Sequence, residues 1–260
     1  MSRFLAKEAI FAIICFLCTT TVALFVASIA IQQSRATNVG SFLDQELLDN
    51  ASLTDSAMDH RAVDWAALKA INPDVIGWII VEGTSISCPL VKAPREDPDY
   101  YLAHDLYGEE NRYGCPYLDA ACENEFDSAH CVIYGHNMGW DDVLFADLQR
   151  FTDSDFAQQH TVAYILTPTK TIVLSLYAVA TINGNEPLNR VIFTSPDDFI
   201  DYRETLIAKA SRIASDESAT QLQGETNRAQ LFTLCTCTYF FNPSNERTLV
   251  FAFPLSETPC

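Results

Sequence analysis

The chain begins with one long apolar stretch and then breaks into short runs. Ala9 to Ser34 carries no charged side chain and is dominated by Ile, Phe, Leu, Val and Ala. A helix needs about 20 residues to cross the hydrocarbon layer, so this stretch is long enough to span a membrane. Arg3 and Lys7 precede it, and the positive-inside rule then leaves the N-terminus in the cytoplasm and exports the remainder of the chain. A cleaved secretory signal is the rival, with Ala27-Ser28-Ile29-Ala30 as a weak processing site, but its apolar core would be shorter. The pattern divides the chain into a cytoplasmic N-terminus (1–8), a signal-anchor (9–34), a polar, acidic stalk (35–60) and a globular domain (61–260). One or two helical turns are expected in the stalk near Phe42 to Leu48.

Within the domain, Val63, Ala66, Ala67 and Ala70 recur at helical spacing, predicting a helix over Ala62 to Ala70 that Asn72-Pro73 ends. From Gly77 the period becomes strand-like. β-Branched and aromatic runs predict strands at Trp78–Val81, Ser87–Val91, Cys131–Tyr134, Thr161–Leu166, Thr171–Ile182, Gln230–Cys237 and Thr248–Phe253. Seven or eight strands suffice for a barrel or a sandwich. Two helices interrupt them. Asp141 to Phe151 groups Val143, Leu144, Leu148 and Phe151. Pro196 to Ile213 has Ser195 as N-cap, Pro196 at its first position, and a stripe of Phe199, Tyr202, Leu206, Ile207 and Ala210.

Composition narrows the function classes. The chain has 260 residues, 48% of them hydrophobic, which excludes a disordered chain and permits a sizeable core. Its 34 acidic and 16 basic side chains give a net charge of −18, so a phosphate backbone would be repelled and nucleic-acid binding is not expected. Of nine cysteines, Cys15 and Cys18 lie in the apolar stretch. Export permits disulfides, and Cys115 with Cys122 or Cys88 with Cys131 are possible pairs, but spacing does not fix connectivity. No pair at zinc-site spacing exists outside the anchor, and neither a metal nor a cofactor is expected.

Three places carry chemistry. His136, in Tyr134-Gly135-His136-Asn137-Met138, leaves a strand end through a glycine turn, where an imidazole can reach a substrate. Thr233-Leu234-Cys235-Thr236-Cys237 closes another strand. A thiol there is nucleophilic if a neighbouring cation stabilises its thiolate, and alternation alone does not choose between Cys235 and Cys237. Arg247 opens the next strand ten residues after Cys237, so a hairpin could set its guanidinium beside the thiol, where it can donate to a carbonyl or an oxyanion.

Taken together, these motifs resemble the sortases, and within them class B. The family carries a Thr-Leu-x-Thr-Cys strand end, an upstream histidine and an arginine on the following strand, which selects Cys237 as nucleophile with His136 and Arg247. The resemblance runs from Asn72 to Phe253 through Asn72-Pro73-Asp74-Val75-Ile76-Gly77-Trp78-Ile79, Tyr100-Tyr101-Leu102 with Asp105, and Tyr117-Leu118-Asp119. It includes a helix between the strand ending at Ile182 and the strand leading to Cys237. Two departures are visible. The strand after Arg247 lacks the glycine many members place near its end, and Cys235 stands where a serine is common.

The resemblance implies a mainly β fold with appended helices, an eight-stranded sortase-type barrel behind an N-terminal transmembrane helix. It implies a membrane-anchored cysteine transpeptidase on the outer face of a Gram-positive-type cell. Cys237 would attack the carbonyl after a threonine in a secreted protein's C-terminal sorting signal, of a pattern like Asn-Pro-x-Thr. An amine of a peptidoglycan precursor would resolve the thioester. Leu102, Cys235, Thr236 and Tyr202 are the expected substrate contacts, and the helix from Pro196 with its flanking loops the expected specificity element. A hydrolytic cysteine peptidase and an inactive exported binding module are the alternative readings.

Overall fold

A computed structural model describes residues 2–43, 62–122, 125–139, 141–186, 190–210, 212–213, 230–240 and 242–259. At 2–13, 212–213, 237–240 and 242–244 it describes the backbone alone.

Nine strands form among the described residues: β1 (Val75–Val81), β2 (Ser87–Lys92), β3 (Tyr117–Leu118), β4 (His130–Tyr134), β5 (Val162–Leu166), β6 (Lys170–Asn183), β7 (Arg212–Ile213), β8 (Leu231–Phe240) and β9 (Asn242–Pro259). Their order is β5-β1-β2-β3-β4-β8-β9-β6-β7, and a further pairing of β5 with β6 closes eight of them into a barrel. β7 is a two-residue addition to the edge of β6. All neighbours are antiparallel except β2–β3 and β4–β8. Each predicted strand is present and starts within three residues of its predicted start, except β9, which starts at Asn242, six residues early. β8 and β9 run further, to Phe240 and Pro259.

Alternation along the strands separates the barrel interior from its outer layers. Phe232 and Leu234 of β8 enter the interior with Ile79, Ile133, Leu174 and Val250. Leu231 and Cys235, on the other face, join Val132, Leu249 and Phe251. That outer layer is covered by the helix Pro196–Ile207, whose Phe199 and Leu206 are buried and whose Tyr202 and Ile207 pack against it. Ser195 caps this helix by accepting from the Asp198 amide at 3.1 Å. A second outer layer holds Val75, Trp78, Val91 and Tyr101 beneath the helix Trp65–Ile71, through its buried Leu68. Asp64 caps that helix, accepting from Ala67 N at 2.9 Å. Its start is therefore Trp65, three residues later than predicted.

Two predicted helices are corrected. Asp141–Phe151 is not an α-helix: a 3-10 helix covers Ala146–Thr152, and Leu144 sits at φ 56°. The polar groups of this segment are committed to distant partners. Tyr113 donates to Asp141 at 2.6 Å, Phe145 N donates to His136 O at 3.1 Å, and the Ser85 amide donates to Asp147 at 2.7 Å. Val143, Leu144, Leu148 and Phe151 are buried all the same, so the apolar spacing marked burial rather than helix. The helix from Pro196 ends at Ile207 instead of Ile213, because Lys209 and Ala210 close tight turns onto Leu206 and Ile207 and Arg212–Ile213 pair with β6.

The N-terminal helix covers Ser2–Thr37. Its part from Ile14 is long and apolar enough to cross a membrane and is not buried by the rest of the protein. Its end touches the domain: Asn111 donates to Gln32 O at 3.1 Å, Arg35 lies 3.8 Å from Asp105, and Ala36 packs with Tyr113, Val143 and Leu144. A 3-10 turn follows at Gly40–Phe42, and the rest of the stalk lies outside the described residues.

Candidate active site

Three adjacent strands bring the candidate residues to one rim of the barrel. β8 lies between β4 and β9. In the parallel β4–β8 pair Tyr134 is opposite Cys235, and Gly135 N then donates to Cys235 O at 3.1 Å. His136 thus leaves β4 where β8 reaches Thr236 and Cys237. On the other side of β8, Cys237 is the cross-strand partner of Arg247, and Arg247 is in turn opposite Ile182 of β6. A register shift comes next, between Cys237 and Tyr239. The Cys237 side chain lies outside the described residues; its backbone position places it in this rim.

The rim borders a cleft of about 380 Å³, lined by Pro98, Asp99, Leu102, Tyr117, Asp119, Tyr134, Gly135, His136, Gly184, Glu186, Cys235, Thr236 and Arg247. His136 Nε2 is 2.8 Å from the carbonyl oxygen of Leu102. A carbonyl only accepts, so Nε2 carries the proton and Nδ1 is left as the nitrogen that can take another. Burial holds the His136 pKa below its ordinary 6.5, and the positive charge of Arg247 adds to this, against the opposing hydrogen bond to Leu102. The ring is neutral at pH 7.

Gly114, at φ +60°, makes room for this arrangement. A Cβ there would come within 2.3 Å of Tyr101 O and 3.2 Å of the His136 ring. The left-handed conformation and the close approach both require glycine. Arg247 is only partly exposed, and its Nη1 donates to Glu246 O at 3.0 Å.

Of the expected substrate contacts, Leu102, Cys235 and Thr236 line the cleft. Among the described residues the buried Thr236 hydroxyl has no hydrogen-bond partner. Tyr202 is elsewhere: its ring packs on His130 and Phe193, and among the described residues no side chain of the helix Pro196–Ile207 lines the cleft. Sequence reasoning missed the hold of Leu102 on His136, because it is made by a backbone carbonyl. It gave no role to the acidic wall of Asp99, Asp119 and Glu186, of which only Asp119 stood in a motif.

No family model matches the chain. Among curated proteins it is 29% identical over 170 residues to the sortase B of Listeria monocytogenes, covering 65% of each chain. It is 24% identical over 194 residues to that of Staphylococcus aureus, covering 75% of each. The match thus spans just under two thirds of the Listeria relative's length. The solved sortase B of Clostridium perfringens superposes with a TM-score of 0.61 at 28% identity, over 74% of this chain and 99% of that one. In sequence and in barrel the chain is similar to the sortases of class B. Its eight-stranded barrel matches that of the sortase B structures, and His136, Thr236 and Arg247 lie on one cleft.

Proposed function

We propose that the protein is a membrane-anchored cysteine transpeptidase acting outside the cytoplasm on secreted proteins that end in a sorting signal. The observation that carries this reading is the register of three neighbouring strands, which sets Cys237 between the strand that delivers His136 and the strand that carries Arg247. The similarity to sortase B proteins supports it.

Cys237 attacks the carbonyl carbon after the threonine of the signal, and the guanidinium of Arg247 holds the carbonyl oxygen as it becomes an oxyanion. His136, anchored through Nε2, uses Nδ1 to exchange protons with the departing and arriving amines. Nδ1 takes the thiol proton of Cys237 as the sulfur attacks and passes it to the departing amine, which leaves a thioester on Cys237. An amine, of a peptidoglycan precursor in this reading, then attacks and restores the thiol. The unpartnered Thr236 hydroxyl and the carboxylates of Asp99, Asp119 and Glu186 give the cleft hydrogen-bonding and negatively charged positions for peptide and acceptor. The helix Ser2–Thr37 holds the domain at the outer face of a Gram-positive-type membrane.

The test uses the full chain in detergent with a peptide containing Asn-Pro-x-Thr and an added primary amine. Mass spectrometry should find the thioester on Cys237 and a product joined to the amine after threonine. A product that is only hydrolysed at every amine concentration would make the protein a peptidase instead.

A further inference from the structure

Among the described residues, four cysteines of the domain other than those of the thiol motif are buried and free: Cys88, Cys115, Cys122 and Cys131. Two of them meet. Cys122 and Cys131, the latter on β4, are buried in one cluster, where the Cys131 thiol faces the Ser128 and Glu125 carbonyl oxygens at 3.5 and 3.8 Å. Cys122 Sγ also lies 3.5 Å from the carbonyl oxygen of His130, the residue beside Cys131. The contact is built by the backbone. Asp119 N donates to Val132 O at 2.9 Å, Ala121 N to the Asp119 carboxylate at 2.8 Å, and Cys122 N to Asp119 O at 3.1 Å, so the Asp119–Cys122 turn folds back onto β4. Neither pairing that spacing suggested, Cys115 with Cys122 or Cys88 with Cys131, matches this contact.

We propose that Cys122 and Cys131 are a disulfide-forming site that ties the Asp119 turn, and with it one wall of the catalytic cleft, to β4. That the bond forms in cells rests on the extracytoplasmic placement proposed above; that it can form rests on the contact itself.

The exchange needs a disulfide donor, either oxidised glutathione or an exported thiol–disulfide oxidoreductase. One protein thiolate attacks a donor sulfur and expels one donor thiolate. The second protein thiolate attacks the resulting mixed disulfide and expels the other, so two electrons and both protons pass to the donor. Either cysteine can attack first, since neither is enclosed until the turn docks. Both sulfurs are fully buried in the finished barrel, so the exchange belongs to folding, before the turn docks.

The experiment folds the full chain in detergent in glutathione buffers from reducing to oxidising. Free thiols are alkylated after denaturation, and the chain is cut at Glu123 and Glu125, which lie between the two cysteines. The expected result is a Cys122–Cys131 linked peptide pair in the oxidising buffers. Reduction should lower the melting temperature by roughly 5–10 °C, the effect of one short closed loop in a domain of this size. That drop should vanish in Cys122→Ala/Cys131→Ala, and the comparison of oxidised with reduced native chain stands even if the variant folds poorly. Alkylation of both residues in every buffer, or linkage to Cys88 or Cys115 instead, overturns the site. A pair that links in vitro but is reduced in chain taken from cells supports the site and overturns the extracytoplasmic placement.

Discussion

Cys237 and Arg247 are cross-strand partners in the β8–β9 hairpin, ten residues apart in sequence and opposite in register. The relation fixes where the guanidinium starts from, so its role can be tested by changing its head while keeping its charge.

Arg247→Lys keeps the charge and loses the planar fork of donors. If Arg247 supports the oxyanion, kcat/KM should fall by roughly a hundredfold or more, the loss of one good donor at about 3 kcal/mol. Peptide turnover by the purified variant measures it. A lysine variant within a few fold of the parent would reduce Arg247 to an electrostatic neighbour.

Gly184 tests the same side chain through packing. A Cβ there would lie 3.1 Å from Cζ and Nη1 of Arg247 and 3.0 Å from Asn245 Oδ1. Gly184→Ala should displace the guanidinium and lower kcat/KM by about tenfold or more, since small misplacements of catalytic groups are costly, with circular dichroism unchanged. Parental turnover would show that Arg247 needs no fixed position.

Cys237→Ala should abolish turnover and thioester formation, whereas Cys235→Ser should largely preserve both. Cys235 is buried at the edge of the cleft and its replacement keeps the volume nearly constant. Equal losses in the two variants would place the nucleophile, or an essential packing contact, at Cys235.

The His136 ring should titrate below 6.5, since burial disfavours its charged form and Arg247 repels it. Removing that charge in Arg247→Gln should raise the midpoint without restoring it fully, because burial is the larger cause. The Cε1–H chemical shift against pH reads both. A midpoint at or above 6.5 in the parent would contradict the neutral ring.

His130 gives a separate pH dependence, of stability rather than rate. It is fully buried, its Nδ1–H donates to Arg190 O and its Nε2 accepts from the Thr233 hydroxyl, and burial lowers its pKa to about 4. The unfolded chain takes up the proton first, so the domain should lose stability as pH falls from 6.5 to 4, by up to about 3 kcal/mol from this residue. Melting temperatures over that range should slope less steeply in His130→Gln. Identical slopes would assign the acid limb to the carboxylates.

Much of the barrel was legible because β1, β2, β4, β5, β6, β8 and β9 are each long enough to show apolar runs. β3 and β7 are two residues each and have no period to read. The segment 141–151 misled because apolar residues three and four apart also suit a turn and a 3-10 helix pinned by Asp141 and Asp147 to other parts of the chain. At the site, the ten-residue spacing of Cys237 and Arg247 foretold their hairpin, while the choice between Cys235 and Cys237 came only from the family motif. The carbonyl of Leu102 and the meeting of Cys122 with Cys131 depend on which distant strands become neighbours, and neither leaves a local pattern.

The parallel pairing of β4 with β8 has a further consequence. His136 and Cys237 are carried out of the barrel in the same direction by hydrogen-bonded neighbours, and Arg247 enters on the strand beside them. No loop intervenes between the strands that carry them. Insertions after Asn137, before Pro196 or ahead of β8 can therefore reshape what the cleft admits while the chemical groups keep their spacing. Substrate range and reactivity are, in this architecture, separately adjustable.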